Sequence, residues 1–220
     1  MTTMNRRNFL LGAAGVGVVA LLGGGYYAIR QPQLDFIKAE YPGSSGGGKV
    51  LVAYTSQYGS TGGIADAIAQ GLHAEDTAVA VIRLEKDTVV ENIGDYSAVI
   101  IGSPVISGAW MPEAVSFVER YQTTLQNIPV AYFLACMELA LSTDPNAAEN
   151  LHPVFDKVLA QIPGVTPVAF GLFAGAIDYN KMSPVNRVLY QYFSPDDTSG
   201  DYRDWKAISE WASALRPSLL

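Results

Sequence analysis

From Lys49 onward, short apolar runs alternate with segments whose apolar residues recur at helical spacing. The run Lys49–Tyr54 has glycines before it and hydroxyl residues after it, a pattern typical of a strand buried on both faces. The next segment places Ile64, Ile68 and Leu72 four residues apart, which predicts a helix. By the same criteria, further strands are predicted at 79–84, 96–101, 128–135 and 165–174, and further helices at 112–121, 146–161, 184–193 and 203–215.

Strands and helices that alternate in this way indicate a parallel sheet with helices on both faces. We therefore expect one doubly wound α/β domain. In such sheets, ligands bind at the carboxyl ends of the strands, at the point where the strand order changes direction. The first strand-to-helix turn is thus the first place to look for chemistry.

That turn is rich in hydroxyl side chains. Thr55, Ser56, Ser60 and Thr61 surround Gly59, and the segment leads directly into the predicted helix. Backbone N–H groups and the positive dipole end of a helix N-terminus attract phosphate, and hydroxyl groups add donors without adding charge. The Gly-x-x-x-x-Gly-Lys-Ser/Thr and Gly-x-Gly-x-x-Gly patterns are absent, which argues against ATP and NAD sites of those types. A polar loop that only caps a helix is the alternative.

Charge is unevenly distributed along the chain. The 220 residues include 14 Lys+Arg and 21 Asp+Glu, a net charge of −7. Residues 1–48 carry four basic and two acidic side chains, a net of +2, which leaves −9 on residues 49–220. An acidic domain without basic clusters argues against nucleic-acid binding. The single cysteine excludes an internal disulfide, and two histidines are too few to suggest a zinc site, so no metal is expected.

Residues 50–61 read Val-Leu-Val-Ala-Tyr-Thr-Ser-Gln-Tyr-Gly-Ser-Thr and resemble the FMN-phosphate loop of the flavodoxins, whose pattern is Ser/Thr-x-Thr-Gly-x-Thr. Ser56, Gly59 and Thr61 match this pattern, and Tyr58 stands where the family has its middle threonine. The resemblance implies FMN as the cofactor and a five-stranded parallel sheet in the order 2-1-3-4-5.

Three further segments, at 101–110, 170–179 and 200–205, extend the resemblance over about residues 49–215. The last two are similar to the flavodoxin-like branch that contains menaquinone-dependent protoporphyrinogen dehydrogenase. The cofactor-binding residues that the resemblance implies are Ser56, Gln57, Tyr58, Gly59, Ser60, Thr61, Ser103, Pro104, Val105, Gly108, Trp110 and Met137. No catalytic side chain is implied, because the flavin carries the redox chemistry.

Several side chains keep two interpretations at this point. Trp110 either stacks on the flavin ring or packs beneath the helix that follows it. Cys136 lies where a flavin edge is expected, but a small buried apolar residue is the simpler interpretation. The apolar stripe in 182–193 either covers the sheet or forms an apolar lip that admits a quinone, a porphyrinogen or a partner surface. Asp201 is the expected N-cap of the last helix, whose apolar face begins at Trp205.

The N-terminus carries a separate signal. Residues 8–29 contain no charged side chain and follow the twin arginines Arg6 and Arg7. This segment resembles a twin-arginine export signal, which implies the twin-arginine export machinery as a partner. Residues 9–29 as a helix would span about 31 Å, enough to cross a membrane. The expectation is either a retained anchor with the domain on the extracytoplasmic side of the cytoplasmic membrane, or a cleaved signal and an exported protein.

The expected organisation is a signal or hydrophobic helix at 1–29, a Gly/Ser-rich tether at 30–48 and an FMN-binding domain at 49–220. The predicted function is an FMN-dependent oxidoreductase that passes electrons or hydride between a reduced donor and a quinone or redox-protein partner. One alternative is a flavodoxin-type electron-transfer protein without a small-molecule substrate. Another is a binding module of the same fold that has lost FMN, which Tyr58 and the pair Gly62-Gly63 favour.

Overall fold

The computed structural model describes residues 29–43, 48–73, 77–142, 149, 151–194 and 198–219. The predicted hydrophobic helix at 1–29 therefore lies outside the described residues, apart from its last position. The chain divides into two compact units: a sheet unit of Asp35–Ala176 with Gly200–Leu220, and a second unit that includes Ile177–Ser199. Within the described ranges, no helix has the length and apolar character needed to cross a membrane.

The sheet unit is built around a mostly parallel sheet. Its strands are β1 (Ala39–Tyr41), β2 (Lys49–Tyr54), β3 (Ala78–Arg83), β4 (Ala98–Ile106), β5 (Ala109–Trp110), β6 (Val130–Ala135) and β7 (Ala169–Phe173). The five parallel strands lie in the order β3-β2-β4-β6-β7. Counted along the chain this is 2-1-3-4-5, so the predicted order is confirmed, and β2 is the strand at which the order changes direction.

Helices of the sheet unit cover this sheet. They are α1 (Ser60–His73), α2 (Pro112–Leu125), α3 (Met137–Leu141), α4 (His152–Gln161) and α6 (Trp205–Leu219). The second unit contains a 3-10 turn, Tyr179–Lys181, and α5 (Pro184–Phe193), which confirms the helix predicted at 184–193. Two short strands, β8 (Ala176–Ile177) and β9 (Gly200–Asp201), flank that segment.

The strands of the sheet bury both faces. Val50 and Val52 of β2 belong to one apolar cluster with residues of α1 and α6. Leu51 and Ala53 belong to a second cluster with residues of α2 and α4. Because successive side chains of a strand point to opposite faces, this alternation places one layer of helices on each side. The arrangement confirms the doubly wound α/β fold.

The edge strand β1 was not predicted. Ala39–Tyr41 pairs antiparallel with β3, and the Tyr41 hydroxyl donates to Asp66 Oδ1 at 2.6 Å. The buried Tyr54 hydroxyl donates to the Ile37 carbonyl at 2.8 Å. The interpretation of 30–48 as a tether throughout is therefore wrong for this part. A three-residue strand with a central glutamate is too short and too polar to stand out as an apolar run.

Candidate functional site

The candidate site begins at the carboxyl end of β2 with the first loop, which we define as Ser56–Thr61. Thr55 joins the loop to the sheet, since its N–H donates to the Gly102 carbonyl of β4 at 2.9 Å. Thr55 and Ser56 are buried. The Thr55 hydroxyl oxygen is also buried and has no hydrogen-bond partner among the described residues. The loop therefore lies between two parallel strands at the point where their order changes direction.

Hydrogen bonds hold the first loop in a tight turn. The Gly59 N–H donates to Ser56 Oγ at 2.9 Å, and the Gly62 N–H donates to the Gly59 carbonyl at 3.1 Å. Gly59 has a φ of 91°, in the left-handed region that favours glycine. The turn ends at Ser60, where α1 begins, so the first N–H groups of that helix face the loop side. Such a helix start can hold an anion.

Gln57 and Tyr58 form the outer part of the first loop. Gln57 is exposed and Tyr58 is half-buried. The Gln57 side-chain amide donates to the Tyr58 hydroxyl at 3.3 Å. Tyr58 therefore places a hydroxyl group in the loop, as the threonine of the family pattern would, but on a larger side chain.

The adjacent glycines at the start of α1 each have a packing role. A Cβ on Gly62 would lie 2.8 Å from the Tyr54 hydroxyl oxygen, and one on Gly63 would collide with Arg203 Nη1. Both glycines are thus required for close approach of neighbouring side chains. The pair has this structural explanation, and it no longer favours a module that has lost its ligand.

The segment after β4 differs from the loop that was predicted there. β4 continues to Ile106 and pairs antiparallel with β5, with Val105 opposite Trp110. Ser107 and Gly108 form the turn, and both have positive φ, 54° and 75°, as expected for a two-residue hairpin. The Ser103 hydroxyl donates to the Pro104 carbonyl at 2.9 Å and accepts from the Met111 N–H at 3.0 Å. Ser103 thus closes the base of this hairpin.

Trp110 corrects one expectation for the site. Its side chain is 3% exposed, and its ring packs nearly perpendicular to that of Tyr132, with 5.0 Å between the centroids. The ring belongs to the apolar cluster beneath α2. Stacking of Trp110 on a flavin at the mouth of the site is therefore wrong, and the alternative of core packing is confirmed. The local sequence around an aromatic residue next to a hairpin turn is the same whether the ring stacks on a ligand or packs in the core. The sequence therefore left both interpretations open.

Loops from β6 and β7 lie beside the first loop. The Ala176 N–H donates to Ser60 Oγ at 2.8 Å. A Cβ on Gly175 would lie 3.1 Å from Met137 Sδ and 3.4 Å from Ser60 Oγ. The Cys136 N–H donates to the Phe173 carbonyl. The structure thus brings Ser60 and Met137 together at one edge of the sheet, as their assignment to one site requires.

Titratable side chains add little chemistry to this edge. Burial raises the pKa of the Cys136 thiol, so the side chain stays protonated at neutral pH and is a poor nucleophile. Glu138 is exposed, and Glu113 is half-buried with one carboxylate oxygen that has no partner in the described chain. No cluster of three or more metal-ligating side chains occurs within the described ranges.

Two arginines beside the first loop were missed by sequence reasoning. Arg83 Nη2 donates to the Ser56 carbonyl at 3.5 Å, and Arg203 Nη1 donates to the Ser60 carbonyl at 3.1 Å. Arg83 could have been found, because it ends the strand next to β2 and therefore lies at the same edge. Arg203 had no such signal, since it lies far along the chain, just before α6.

The segment before α6 also corrects the predicted cap. Asp204 Oδ1 accepts from the Ala207 N–H at 3.0 Å and thus caps the helix. Asp201 instead binds the Arg203 guanidinium through both carboxylate oxygens. The predicted apolar face of α6 is buried at Ile208, whereas Trp205 is 45% exposed.

Known proteins resemble this chain in both sequence and fold. A family model described as Flavodoxin domain matches residues 51–199. A protoporphyrinogen IX dehydrogenase (quinone) from Leishmania major is 28% identical over 173 residues, which cover 75% of this chain and 73% of that protein. An oxidoreductase structure from Corynebacterium diphtheriae aligns with a TM-score of 0.50 and 14% identity, over 80% of this chain and 98% of that one. Flavodoxin 2 from Bacillus cereus aligns with a TM-score of 0.45 and 24% identity, over 77% of this chain and 98% of that one.

The N-terminus has its own match. A model of the twin-arginine translocation pathway signal sequence matches residues 3–23. The match supports the predicted export signal and, with it, export across the cytoplasmic membrane by the twin-arginine machinery.

Proposed function

Because the chain belongs to the flavodoxin domain family, we propose that it is an exported FMN-dependent oxidoreductase that passes electrons or hydride between a reduced donor and a quinone or redox-protein partner. FMN is its cofactor. The observation that carries the proposal is the first loop, which turns at the carboxyl end of β2 and opens the N-terminus of α1.

The residues of the first loop fit the phosphate ester of FMN. The Ser56–Gly59 hydrogen bond fixes the turn, and the N–H groups at the start of α1 provide donors with the dipole of the helix behind them. A bound phosphate would satisfy donors of this kind, and no metal is needed to hold it.

The flavin ring would lie against the neighbouring loops. Pro104, Val105 and Gly108 are half-buried, so the hairpin that β4 forms with β5 can offer backbone groups to a ring. Met137 offers an apolar, polarizable side chain from the first position of α3, which follows β6. When bound, FMN supplies the hydride or electron transfer, and these residues bind and orient it.

A quinone as acceptor is supported by the name of the Leishmania relative and by an apolar surface on α5. None of the residues of α5 is buried, and Val188, Leu189 and Phe193 are exposed by 59%, 42% and 73%. Exposed apolar side chains on one helix suit an apolar reactant or partner. Protoporphyrinogen is the donor named for that relative, and we propose the same compound as the first donor to test.

Binding and redox activity can be tested on the full chain purified in mild detergent. The protein should be yellow or become so with added FMN, and the flavin fluorescence should be quenched in the complex. After anaerobic reduction, a water-soluble menaquinone analogue should reoxidise the flavin in a two-electron step. Absence of flavin binding would remove the redox function, and reoxidation only by one-electron acceptors would instead identify an electron-transfer protein without a small-molecule substrate.

The apolar acceptor can be tested by substitution. Val188→Ser together with Phe193→Ser should slow reoxidation by the quinone analogue several-fold but leave reoxidation by ferricyanide, a hydrophilic acceptor, unchanged. Val89→Ser is the matched control, since Val89 is 68% exposed outside this surface. Equal rates with the quinone in both variants would show that α5 takes no part.

We also propose that residues 1–29 remain as a membrane anchor that holds the domain on the extracytoplasmic side. Fusion of residues 1–48 to a reporter that is active only after export should give activity, and replacing both Arg6 and Arg7 by Lys should abolish it. A retained anchor resists carbonate extraction of the membrane fraction. Shortened protein released by that wash would indicate a cleaved signal, and full-length protein released by it would show that the uncleaved segment does not anchor the chain.

A further inference from the structure

Two guanidinium groups lie against the first loop of a domain whose net charge is −9. Arg83 donates to the carbonyl of Ser56, the first residue of the loop. Arg203 donates to the carbonyl of Ser60, its next-to-last residue. Both side chains are largely buried, with 29% and 16% of their surface exposed. The loop is thus bracketed by two guanidinium groups, and each of them is also paired with a carboxylate, Glu85 or Asp201.

Peptide geometry decides which way the loop amides point. No described peptide bond is cis, and in a trans peptide the carbonyl and the following N–H point in opposite directions. The trans peptide bond between Ser56 and Gln57 therefore points the Gln57 N–H away from Arg83. In the same way, the peptide bond between Ser60 and Thr61 points the Thr61 N–H away from Arg203. A charged donor on the carbonyl also polarises the peptide and strengthens its N–H as a donor.

Arg203 is held rigidly in this place. Its Nε and Nη2 donate to the two carboxylate oxygens of Asp201 at 2.7 and 2.6 Å, and its guanidinium lies 4.3 Å from the centroid of the Trp205 ring. The missing side chain of Gly63 leaves the space that Nη1 occupies. Only the third arm of the guanidinium is left for the Ser60 carbonyl.

Arg83 is held in a similar way from the other side. Its guanidinium carbon lies 3.3 Å from the centroid of the Phe36 ring, and its Nη1 donates to Glu85 at 2.9 Å. Its Nε is buried and has no partner in the part of the chain that the structure describes. Arg83 therefore reaches the loop through Nη2 alone, while Phe36 and Glu85 hold the rest of the guanidinium.

We propose that Arg83 and Arg203 are positioning residues that make the first loop selective for a phosphate-bearing flavin. They act from behind the loop, by orienting and polarising the peptide groups that present the Gln57 and Thr61 N–H groups. This inference rests on the proposed FMN function. Without the two guanidinium groups, the acidic domain would disfavour a dianionic phosphate.

The test compares FMN with riboflavin, which lacks the phosphate, in the full chain. Arg83→Gln and Arg203→Gln should each weaken FMN binding by about tenfold and riboflavin binding by less than about twofold, measured by flavin fluorescence quenching. Arg120→Gln is the matched control, because it removes the same charge and an Arg Nη1 bond to a carbonyl, that of Thr88 at 2.7 Å. It should change neither affinity.

Lysine variants distinguish an effect of lost charge from an effect of impaired folding. Arg83→Lys and Arg203→Lys keep the positive charge and should recover part of the lost selectivity, and they carry the comparison if the glutamine variants do not fold. Equal weakening of FMN and riboflavin, or unchanged FMN affinity, would overturn the inference while leaving the proposed function intact. A wild-type protein that binds neither flavin would remove the proposed function, and the inference with it.

Discussion

At the scale of single residues, two adjacent glycines allow the first turn of α1 to be packed from both sides. Gly62 faces the ring of Tyr54, and Gly63 faces the guanidinium of Arg203. A helix start normally gains from residues with a side chain, because glycine costs roughly 1 kcal/mol relative to alanine in a helix. The close contacts at both positions explain why that gain is not available here.

Gly62→Ala should lower the free energy of unfolding by roughly 1–3 kcal/mol, because the added methyl group overlaps the Tyr54 ring at 2.8–2.9 Å. Urea unfolding followed by circular dichroism measures the change. Gly94→Ala is the matched control, since a Cβ there meets nothing within 4 Å. An equally small effect of both substitutions would show that the packing at Gly62 can relax.

At the scale of elements, short strands complete the sheet and shape its edge. The strand β1 covers β3, and the pair β4–β5 turns the segment after the third parallel strand into a hairpin. Neither has the length of apolar run that identifies a strand in a sequence. β1 is stabilised by a distant strand, β3. β5 pairs locally with the end of β4, and its Trp110 N–H also donates to the distant Gln161 side chain.

A chain that starts at Lys49 should be less stable than one that starts at Asp35, by about 3 kcal/mol. The shorter chain leaves the buried Tyr54 hydroxyl without the Ile37 carbonyl and removes the antiparallel partner of β3. Urea unfolding of the two truncated chains gives the difference, and light scattering should show aggregation through the newly exposed edge only in the shorter one. Equal stability of the two chains would show that residues 35–41 do not stabilise the sheet and belong to the tether.

At the scale of the whole molecule, burial of neutral acids makes stability sensitive to alkaline pH. Burial raises the pKa of Tyr54 to about 12, and it raises the pKa of Tyr132 and of the Cys136 thiol as well. In the unfolded chain these groups ionise near their ordinary values, about 8.5 for cysteine and about 10 for tyrosine. The unfolded state therefore releases protons that the folded state keeps, and raising the pH favours unfolding.

The free energy of unfolding should therefore be constant near neutral pH, as far as these groups determine it, and fall above about pH 8.5. Above pH 10 each buried tyrosine adds up to about 1.4 kcal/mol per pH unit to the slope. Urea midpoints at pH 8, 9.5 and 11 measure the fall. Cys136→Ala should reduce the part of this fall in stability that develops below pH 10. A stability that is unchanged between pH 8 and 11 would contradict the burial of these three groups.

The order of strands and helices, and the place of the first loop within it, could be predicted from the sequence. Apolar periodicity is a local property, so the run Lys49–Tyr54 and the hydroxyl-rich turn after it are recognisable without any distant contact. The family resemblance of residues 50–61 added the strand order, which the structure confirms.

Only the tertiary structure decided which distant side chains surround that loop. Ser60 and Arg203 are separated by 143 positions in sequence, yet they form a hydrogen bond, and the burial of Trp110 depends on Tyr132 of another strand. No local pattern encodes such pairs, because they form only when packing of the sheet and helices brings separate segments to one edge. The sequence by itself therefore predicted the loop that we propose binds a phosphate group, and the packing determined which charged side chains lie behind that loop.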